Sequence, residues 1–445
     1  MSRFAKVLSI ALAVSVFAGI LGVGPAHPAS GSPQVGVQFH CMWSSYTYDE
    51  RRLMLDKLAA AGVTTVRIDM GWSSFQETSR TTYSQWYIDR ADFCVNEARA
   101  RGMSVLSVVH RTPGWANGGQ GTGVPPTDLN DFANFSEWLA RHFAGRIVAY
   151  EVWNEPDPDQ SFWLGTVEQY VSMLKLAYPR FKAGDPAAKV VLGGPSSNDD
   201  RWIGQVYALG AKSSFDIVAT HPYQGYASKE PEYPDDGNRW WFTHFPAVLS
   251  VMQQYGDGAK EVWFTEFGWS SHENTSDLPN WMQGVTPEQQ ADYLVRAVKL
   301  AGLQYPNVTR MFWYNERNRT NGNIQHNNFG LLRADFSEKP AYVALKNHNN
   351  GLSVADILPP LVTITNPRNL STVTGRTDIS ARAVDDRAVV KMEILIDGTV
   401  RATASAASMS YTWNTKKTFK GLHYIVVRAY DASNNVGLST VTVVV

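Results

Sequence analysis

Cysteine, charge and long apolar segments are all scarce in this 445-residue chain. Its two cysteines, Cys41 and Cys94, are too few for a disulfide-stapled scaffold or for a zinc site built from sulfur. They leave two alternatives, one disulfide or two buried thiols, and we favour the thiols. Charged residues make up 18% of the chain, and the formal net charge of −1 disfavours a nucleic-acid or anionic-membrane partner.

One apolar run stands out, and it lies at the N-terminus. Arg3 and Lys6 precede an uncharged apolar segment over residues 7–23, and small residues and prolines follow it. This order is typical of a secretory signal peptide. A membrane anchor is the alternative, but the run is short for a span and no charged patch follows it. We therefore expect a signal over residues 1–29 and a secreted, extracellular protein without membrane association after signal removal.

Between residues 33 and 348, short β-branched runs alternate with longer amphipathic stretches that predict helices. The runs predict eight strands, at residues 35–40, 64–70, 103–110, 146–153, 189–192, 215–221, 261–266 and 308–314. Eight strand–helix units predict an α/β protein with a (β/α)₈ TIM barrel. A doubly wound open sheet is the alternative, but it lacks its glycine-rich turn after the first strand.

A predicted linker over residues 349–360 separates the barrel from a segment of different pattern. Residues 361–445 hold short alternating runs separated by turns, and Asp397-Gly398 is a hairpin signal. The pattern predicts a small all-β sandwich. Trp413 and Tyr424 are its candidate sugar platforms, so a spacer and a sugar-binding module both stay open. The segment resembles the immunoglobulin-like modules that follow bacterial secreted hydrolases, on the strings at 363–367, 396–398 and 428–431.

Two glutamates each end a predicted barrel strand. Asn154-Glu155 follows the apolar run of the fourth strand, and Glu266 ends the seventh. The carboxyl ends of barrel strands meet at one face, so the two side chains should face each other. Breaking a glycosidic bond needs such a pair, because one carboxyl protonates the leaving oxygen and the other attacks the sugar carbon. Glu155 is the predicted acid and Glu266 the predicted nucleophile.

On these residues the barrel resembles clan A glycoside hydrolases, which are retaining (β/α)₈ enzymes, and among them the cellulase-like family five. The resemblance implies that Asn154-Glu155 carries the acid/base and that Glu266 is the nucleophile. The strings at 150–156 and 217–223 are also similar to family thirty-nine, which includes β-xylosidases and exopolysaccharide hydrolases. The other polar and aromatic strand-end positions of family five correspond to Arg67, His110, His221, Tyr223 and Trp313.

Each of these residues has a predicted role. Asn154 would bind the sugar 2-hydroxyl, and Arg67 and Tyr223 would position the nucleophile. For Arg67 the alternative is a structural ion pair with Asp69 or Glu151.

The two histidines, His110 and His221, would contact sugar hydroxyls, although core histidines or metal ligands beside Glu266 are alternatives. The local spacing typical of a metal site is absent, so we expect no metal and no cofactor. Trp313 and Trp269 are predicted sugar platforms because indole faces suit the apolar faces of sugar rings.

The geometry of the fourth strand poses a problem. Side chains alternate along a strand, so Trp153 and Glu155 would share one face and Asn154 would lie on the other. If Asn154 also reaches the sugar, the strand end must twist or bulge.

The sequence thus predicts a secreted retaining β-glycosidase, monomeric, that acts on a β-linked poly- or oligosaccharide. Long predicted loops at 111–127 and 224–239 favour a groove and internal cleavage. The alternatives are a transglycosidase with the same carboxyl pair and a non-catalytic carbohydrate-binding protein.

Overall fold

The computed structural model describes residues 32–158, 161–351, 359–385 and 388–445. The predicted signal over residues 1–29 and most of the predicted linker lie outside these residues. In the described part of the chain, no helix is long and apolar enough to cross a membrane.

Eight parallel strands form one sheet. They are β1 (Gln34–Gln38), β2 (Thr65–Gly71), β3 (Ser104–His110), β4 (Ala149–Val152), β5 (Lys189–Leu192), β6 (Val218–Thr220), β7 (Val262–Phe267) and β8 (Val308–Trp313). The strand order is β5-β4-β3-β2-β1-β8-β7-β6, and a backbone bridge between Val191 and Ile217 joins the two edges. The sheet is therefore a nearly closed barrel.

A helix follows every strand. The helices are α1 (Tyr48–Ala60), α2 (Gln85–Ala100), α3 (Leu129–His142), α4 (Val167–Gly184), α5 (Asp200–Ala208), α6 (Phe245–Gln254), α7 (Pro287–Gln304) and α8 (Pro340–Asn349). Short helical turns lie in the loops at Trp72–Phe75, Gly114–Asn117, Phe242–His244, Asn280–Met282 and Ile324–Asn327. The predicted (β/α)₈ barrel is confirmed, and the doubly wound alternative is wrong.

The local sequence explains where a helix such as α7 begins. The Thr286 side chain accepts a hydrogen bond from the Gln289 backbone N–H at 3.1 Å, and the Gln289 side chain accepts one from the Thr286 N–H at 2.9 Å. This capping box satisfies two backbone donors that the first turn would otherwise leave free. Pro287 follows as the first helical residue, where a missing N–H costs nothing.

Cys41 and Cys94 form a disulfide between the loop after β1 and helix α2. The favoured interpretation as two free thiols is therefore wrong. The bond closes a loop with a sequence separation of 53 residues, and both cysteines are fully buried. A cross-link of this kind reduces the conformational freedom of the unfolded chain.

The C-terminal segment forms two β-sheets, antiparallel except for one strand pair, over a core of its own. Its strands are β9 (Leu361–Asn366), β10 (Ser371–Thr372), β11 (Arg376–Val384), β12 (Val389–Ile396), β13 (Thr399–Ala404), β14 (Ser408–Asn414), β15 (Leu422–Asp431) and β16 (Val436–Val444), with a helical turn at Thr415–Lys417. One sheet is β10-β16-β15-β12-β13, with β10 parallel to β16, and the other is β14-β11-β9. The immunoglobulin-like sandwich is confirmed.

Two features of this sandwich concern residues that the sequence analysis singled out. Asp397 and Gly398 both have positive φ angles, of 49° and 79°, and they connect β12 to β13 as the hairpin signal predicts. Trp413 is buried in the core of the sandwich, so it is not a sugar platform. Tyr424 is 54% exposed.

Candidate active site

The backbone leaves regular strand geometry where β4 ends at Val152. Trp153 and Glu155 have positive φ angles, of 73° and 44°, a region that non-glycine residues rarely adopt. The turn brings Asn154 and Glu155 to the same cavity, although alternation would separate them. The prediction that this strand end must depart from regular geometry is confirmed.

A register irregularity at the end of β7 likewise brings the second glutamate to the cavity. Phe264 pairs with Met311 and Phe267 pairs with Trp313. An interval of three residues on β7 therefore lies opposite an interval of two residues on β8, which is a β-bulge. Glu266 lies in this bulge and lines the cavity.

The two glutamates meet across this cavity as the sequence predicts. A carboxylate oxygen of Glu155 and one of Glu266 lie within 4.8 Å of each other, and the same holds for a ring nitrogen of His221. Each glutamate is buried except for a small exposed fraction, 8% for Glu155 and 7% for Glu266. The carboxyls are therefore close to each other and still open to a ligand.

Arg67, which is fully buried, organises the nucleophile side of the site. Its Nη1 donates to Glu266 Oε1 at 2.6 Å, and its Nε donates to Glu151 Oε2 at 2.8 Å. Nη2 donates to Asn154 Oδ1 at 2.7 Å. The two alternatives for this arginine, the active site and a structural ion pair with Glu151, therefore both apply. It is fully buried behind the cavity wall, so it positions Glu266, in agreement with its predicted role, and is not itself a substrate-binding residue.

Substituting Arg67 with methionine is expected to destabilise the fold and to lower activity. Glu151 would keep a fully buried charge without its cation, which costs about 3–5 kcal/mol of unfolding free energy. Glu266 would lose its strongest donor, and we expect kcat/KM to fall by about 10²-fold.

The double variant Arg67→Met/Glu151→Gln separates the two effects in denaturant unfolding and in steady-state kinetics. It should recover part of the stability and none of the activity. Full recovery of activity would contradict a role of Arg67 in positioning Glu266.

His221 links the acid to the buried network. Its Nδ1 lies 2.9 Å from Glu155 Oε1, and its Nε2 lies 3.1 Å from Thr265 Oγ1. The Thr265 hydroxyl donates to Glu151 Oε1 at 2.8 Å, so it can only accept from the histidine. Nε2 of His221 is therefore protonated, and the contact at Nδ1 is a hydrogen bond when either that nitrogen or Glu155 carries one further proton. His221 is fully buried outside the cavity lining, so the predicted contact with sugar hydroxyls is replaced by a contact with the acid.

The electrostatics of this pair suit an acid catalyst. Burial raises the pKa of Glu155 to about 7, and the negative charge of Glu266 adds to the rise. Burial alone would lower the pKa of His221, but the carboxylates of Glu266, Glu151 and Glu155 together raise it to about 10. Proton occupancy at Glu155 and His221 is therefore coupled.

Three further predicted residues line the cavity. Tyr223 donates its hydroxyl to Glu266 Oε2 at 2.8 Å, in agreement with its predicted position beside the nucleophile. Arg67 fixes the oxygen of the Asn154 amide, which leaves the Nδ2 amine available as a donor. Burial lowers the pKa of His110 to about 4, so this side chain presents a neutral imidazole.

The two tryptophans that were predicted as sugar platforms, Trp313 and Trp269, lie in different environments. Trp313 is fully buried, and its indole N–H donates to the Phe329 carbonyl at 3.1 Å, so it is not a sugar platform. Tyr314, the next residue, lines the cavity instead. Trp269 also lines the cavity, although little of it is exposed. The strand-end pattern predicted the correct part of the chain, but it did not indicate which of the two adjacent rings lines the cavity.

The cavity has a volume of about 800 Å³. Several of its walls were not predicted. They come from loops after the strands and carry aromatic and cationic side chains at Trp43, Arg111, Phe162, Trp240, Trp281 and Arg319. The predicted loop at 224–239 lines the cavity, whereas the predicted loop at 111–127 contributes Arg111 alone.

Comparison with known families supports this geometry. The model of the family Cellulase (glycosyl hydrolase family 5) matches residues 29–319, and that of the Bacterial Ig domain matches residues 360–443. A β-xylosidase of Caldicellulosiruptor saccharolyticus is 33% identical over 113 residues, which are 23% of this chain and 23% of that protein. A probable glucan 1,3-beta-glucosidase of Arthroderma benhamiae is 25% identical over 179 residues, 38% of this chain and 41% of that protein. The matches thus span less than half the length of either relative.

Solved structures show the same fold. A family 39 glycoside hydrolase from the gut symbiont Bacteroides cellulosilyticus has a TM-score of 0.58 and 22% identity, covering 86% of this chain and 79% of its own. GH5_18 from Streptomyces cattleya, in complex with GlcNAc, has a TM-score of 0.54 and 19% identity, covering 78% of this chain and 85% of its own. At these identities the likeness is one of fold.

Proposed function

Since the chain belongs to the cellulase family, glycosyl hydrolase family 5, we propose that it is a retaining β-glycosidase with Glu266 as nucleophile and Glu155 as acid/base. The observation that supports this proposal is the separation of the two carboxylates, within 4.8 Å between one oxygen of each. Retaining enzymes hold their carboxyls about 5–5.5 Å apart, whereas inverting enzymes leave about 6.5–9.5 Å for a water molecule.

The reaction proceeds in two displacements. Glu266, held by Arg67 and Tyr223, attacks the anomeric carbon while Glu155 gives its proton to the departing oxygen. A glycosyl–enzyme ester forms at Glu266. Glu155, now a carboxylate, takes a proton from water, and the resulting attack releases the sugar and regenerates both groups. The reaction requires no cofactor.

The stereochemistry of the first product tests this mechanism. Hydrolysis of a β-linked oligosaccharide, followed by proton NMR before mutarotation, is expected to give the β-anomer first. Initial release of the α-anomer would contradict the double displacement.

The activity is expected to decline above neutral pH. Glu155 must be protonated to donate, and burial places its pKa at about 7, so kcat/KM should fall as pH rises through about 7. This alkaline limb of the pH–rate profile is measured with an alkyl glycoside, whose poor leaving group needs the proton. A dinitrophenyl glycoside needs it less and should show a weaker limb. Identical limbs for both substrates would contradict the assignment of this pKa to Glu155.

We propose a β-linked polysaccharide or oligosaccharide as substrate, cleaved internally. The β-xylosidase and glucan 1,3-beta-glucosidase relatives support the β linkage. Trp281, 54% exposed, and Phe162, 38% exposed, line the cavity at its loops and are suitable platforms for several sugar rings. A rapid loss of polymer viscosity relative to reducing-end release is expected. Release of monosaccharide alone would favour terminal cleavage.

We further propose that the protein is secreted. The N-terminal pattern and the Cys41–Cys94 disulfide support this, because disulfides persist in oxidising compartments. N-terminal sequencing of protein recovered from the culture medium tests it, with a mature start after Ala26 or Ala29 expected.

A further inference from the structure

The cavity wall formed by the loops after β8 and β1 carries a cation, Arg319, that has no carboxylate partner among the described residues. Arg319, half-buried, lines the cavity together with Tyr314, Trp43 and His40. In the described part of the chain, no carboxylate oxygen lies within ion-pair distance of its guanidinium. Arg67, by contrast, pairs with both Glu151 and Glu266.

The guanidinium of Arg319 is held in a fixed position by aromatic rings. Its central carbon lies 4.5 Å from the Trp43 ring centroid and 5.3 Å from that of Tyr314. Nη2 donates to the Tyr314 hydroxyl, and it lies 3.5 Å from His40 Nε2. Stacking on rings is a contact that the planar guanidinium makes well, and it leaves the hydrogen-bonding edge free for a ligand.

The edge that carries Nη1 has no acceptor among the described residues. On the other side, the Asn315 amide oxygen accepts from Nε at 3.2 Å and from Nη2 at 3.0 Å in the amide orientation that satisfies both of its neighbours. A cation that is fixed, half-buried and unpaired on one edge is suited to an anionic partner.

Two acids near this part of the cavity, Glu316 and Asp69, do not pair with Arg319 in the described part of the chain. Glu316 lies 2.9 Å from His40 Nδ1 and accepts from the Tyr46 hydroxyl at 2.8 Å. Asp69 lines the cavity, and no hydrogen bond or ion pair joins it to Arg319 in the described part of the chain.

The position of Arg319 relative to the reacting carboxyls indicates which sugar it meets. In the ring of strands, β8 adjoins β7, which carries Glu266, and lies opposite β4, which precedes Glu155. The departing group lies towards Glu155, so the wall at β8 faces the sugar that Glu266 attacks and its neighbours on that side. The Arg319 guanidinium lies over the Tyr314 ring, the Tyr223 hydroxyl donates to Glu266, and the two ring centroids are 6.4 Å apart.

We propose that Arg319 binds an acidic group on the glycone side of the substrate, so that the enzyme prefers uronate-containing β-linked saccharides to neutral ones. This inference rests on the proposed function and names the substrate class of the same site. The planar fork of the guanidinium matches a carboxylate, and the cavity supplies the low-dielectric surroundings in which such a pair is strong.

Binding in a background without turnover tests the inference. The full-length Glu266→Ala protein is titrated calorimetrically with β-1,4- and β-1,3-linked glucan tetrasaccharides and with their C6-oxidised uronate counterparts. At least one uronate is expected to bind about tenfold more tightly than its neutral parent at low salt. Arg319→Gln should abolish the preference, and Arg319→Lys should keep part of it because it retains the charge without the fork.

Arg141→Gln is the matched control, because it removes an exposed arginine of α3 outside the cavity and should keep the preference. Circular dichroism checks that each variant folds. Equal or tighter binding of the neutral saccharides, failure of both uronates to bind, or a preference that survives Arg319→Gln would overturn the inference.

The outcome is distinguishable from that of the proposed function. Retaining hydrolysis of neutral polymers without any uronate preference would overturn the inference alone. A uronate preference in binding without turnover by the wild-type protein would support Arg319 and contradict the glycosidase mechanism.

Discussion

Replacing Glu266 with alanine is expected to lower kcat/KM by at least about 10⁴-fold, or about 5.4 kcal/mol of transition-state stabilisation. The variant lacks the atom that bonds to the sugar, so the first displacement cannot occur. The fold should survive, because Arg67 keeps its ion pair with Glu151 after the carboxylate is lost. Steady-state kinetics and thermal unfolding measure the two effects.

Added azide gives this experiment its sharpest readout. In the Glu266→Ala protein, azide can occupy the space of the missing carboxylate and attack an activated β-glycoside directly. The expected product is the α-glycosyl azide, formed by a single inversion. Glu168→Ala, at an exposed carboxyl in the first turn of α4, is the matched control and should keep full activity. Near-normal activity of Glu266→Ala would remove this residue from the mechanism.

Replacing Glu155 with glutamine is expected to reduce activity according to the leaving group. Alkyl glycosides, which need protonation, should lose about 10³-fold in kcat/KM, within the usual range for general acid catalysis. Dinitrophenyl glycosides should lose less than about tenfold on the first displacement, because their leaving group departs without a proton.

The second displacement adds a kinetic signature. Glutamine cannot take a proton from the attacking water, so the glycosyl–enzyme should accumulate and a burst of dinitrophenol should precede slow turnover. The glutamine side chain also keeps a hydrogen-bonding group near His221 Nδ1, which limits the structural change. An equal loss across leaving groups would contradict the acid role of Glu155.

The alternatives from the sequence make different predictions in the same assays. A non-catalytic carbohydrate-binding barrel would give binding without reducing ends from any substrate, and the wild-type and Glu266→Ala proteins would not differ. A transglycosidase would lose activity in both variants but would yield longer chains at high sugar concentration.

Much of the site could be predicted because barrel strands carry their functional residues at one end. The apolar run before Asn154-Glu155 and the one that ends at Glu266 predict two of eight parallel strands. In a closed barrel the carboxyl ends of all eight strands meet, whatever the distance along the chain. The strand-end positions and the family resemblance both indicated Arg67 and Tyr223, and the structure places both on the Glu266 carboxylate.

The environments of individual side chains could not be predicted in the same way. Trp313 and Tyr314 are adjacent and aromatic, and only the local backbone decides that Tyr314 lines the cavity. Trp240 and Trp241 are likewise adjacent, yet Trp240 lines the cavity and Trp241 is buried. Arg319 gave no signal in the sequence, because its importance comes from two rings and from the absence of a carboxylate among its described neighbours.

The sequence by itself determined the two-part architecture and the carboxyl pair, because hydrophobic periodicity sets the strands and a barrel gathers their ends. The tertiary structure alone decided the Cys41–Cys94 bond, the contact between Glu155 and His221, and the cationic wall at Arg319. These features depend on distances of a few ångström between loops remote in the chain. A pattern of residue types along one dimension carries no information about such distances.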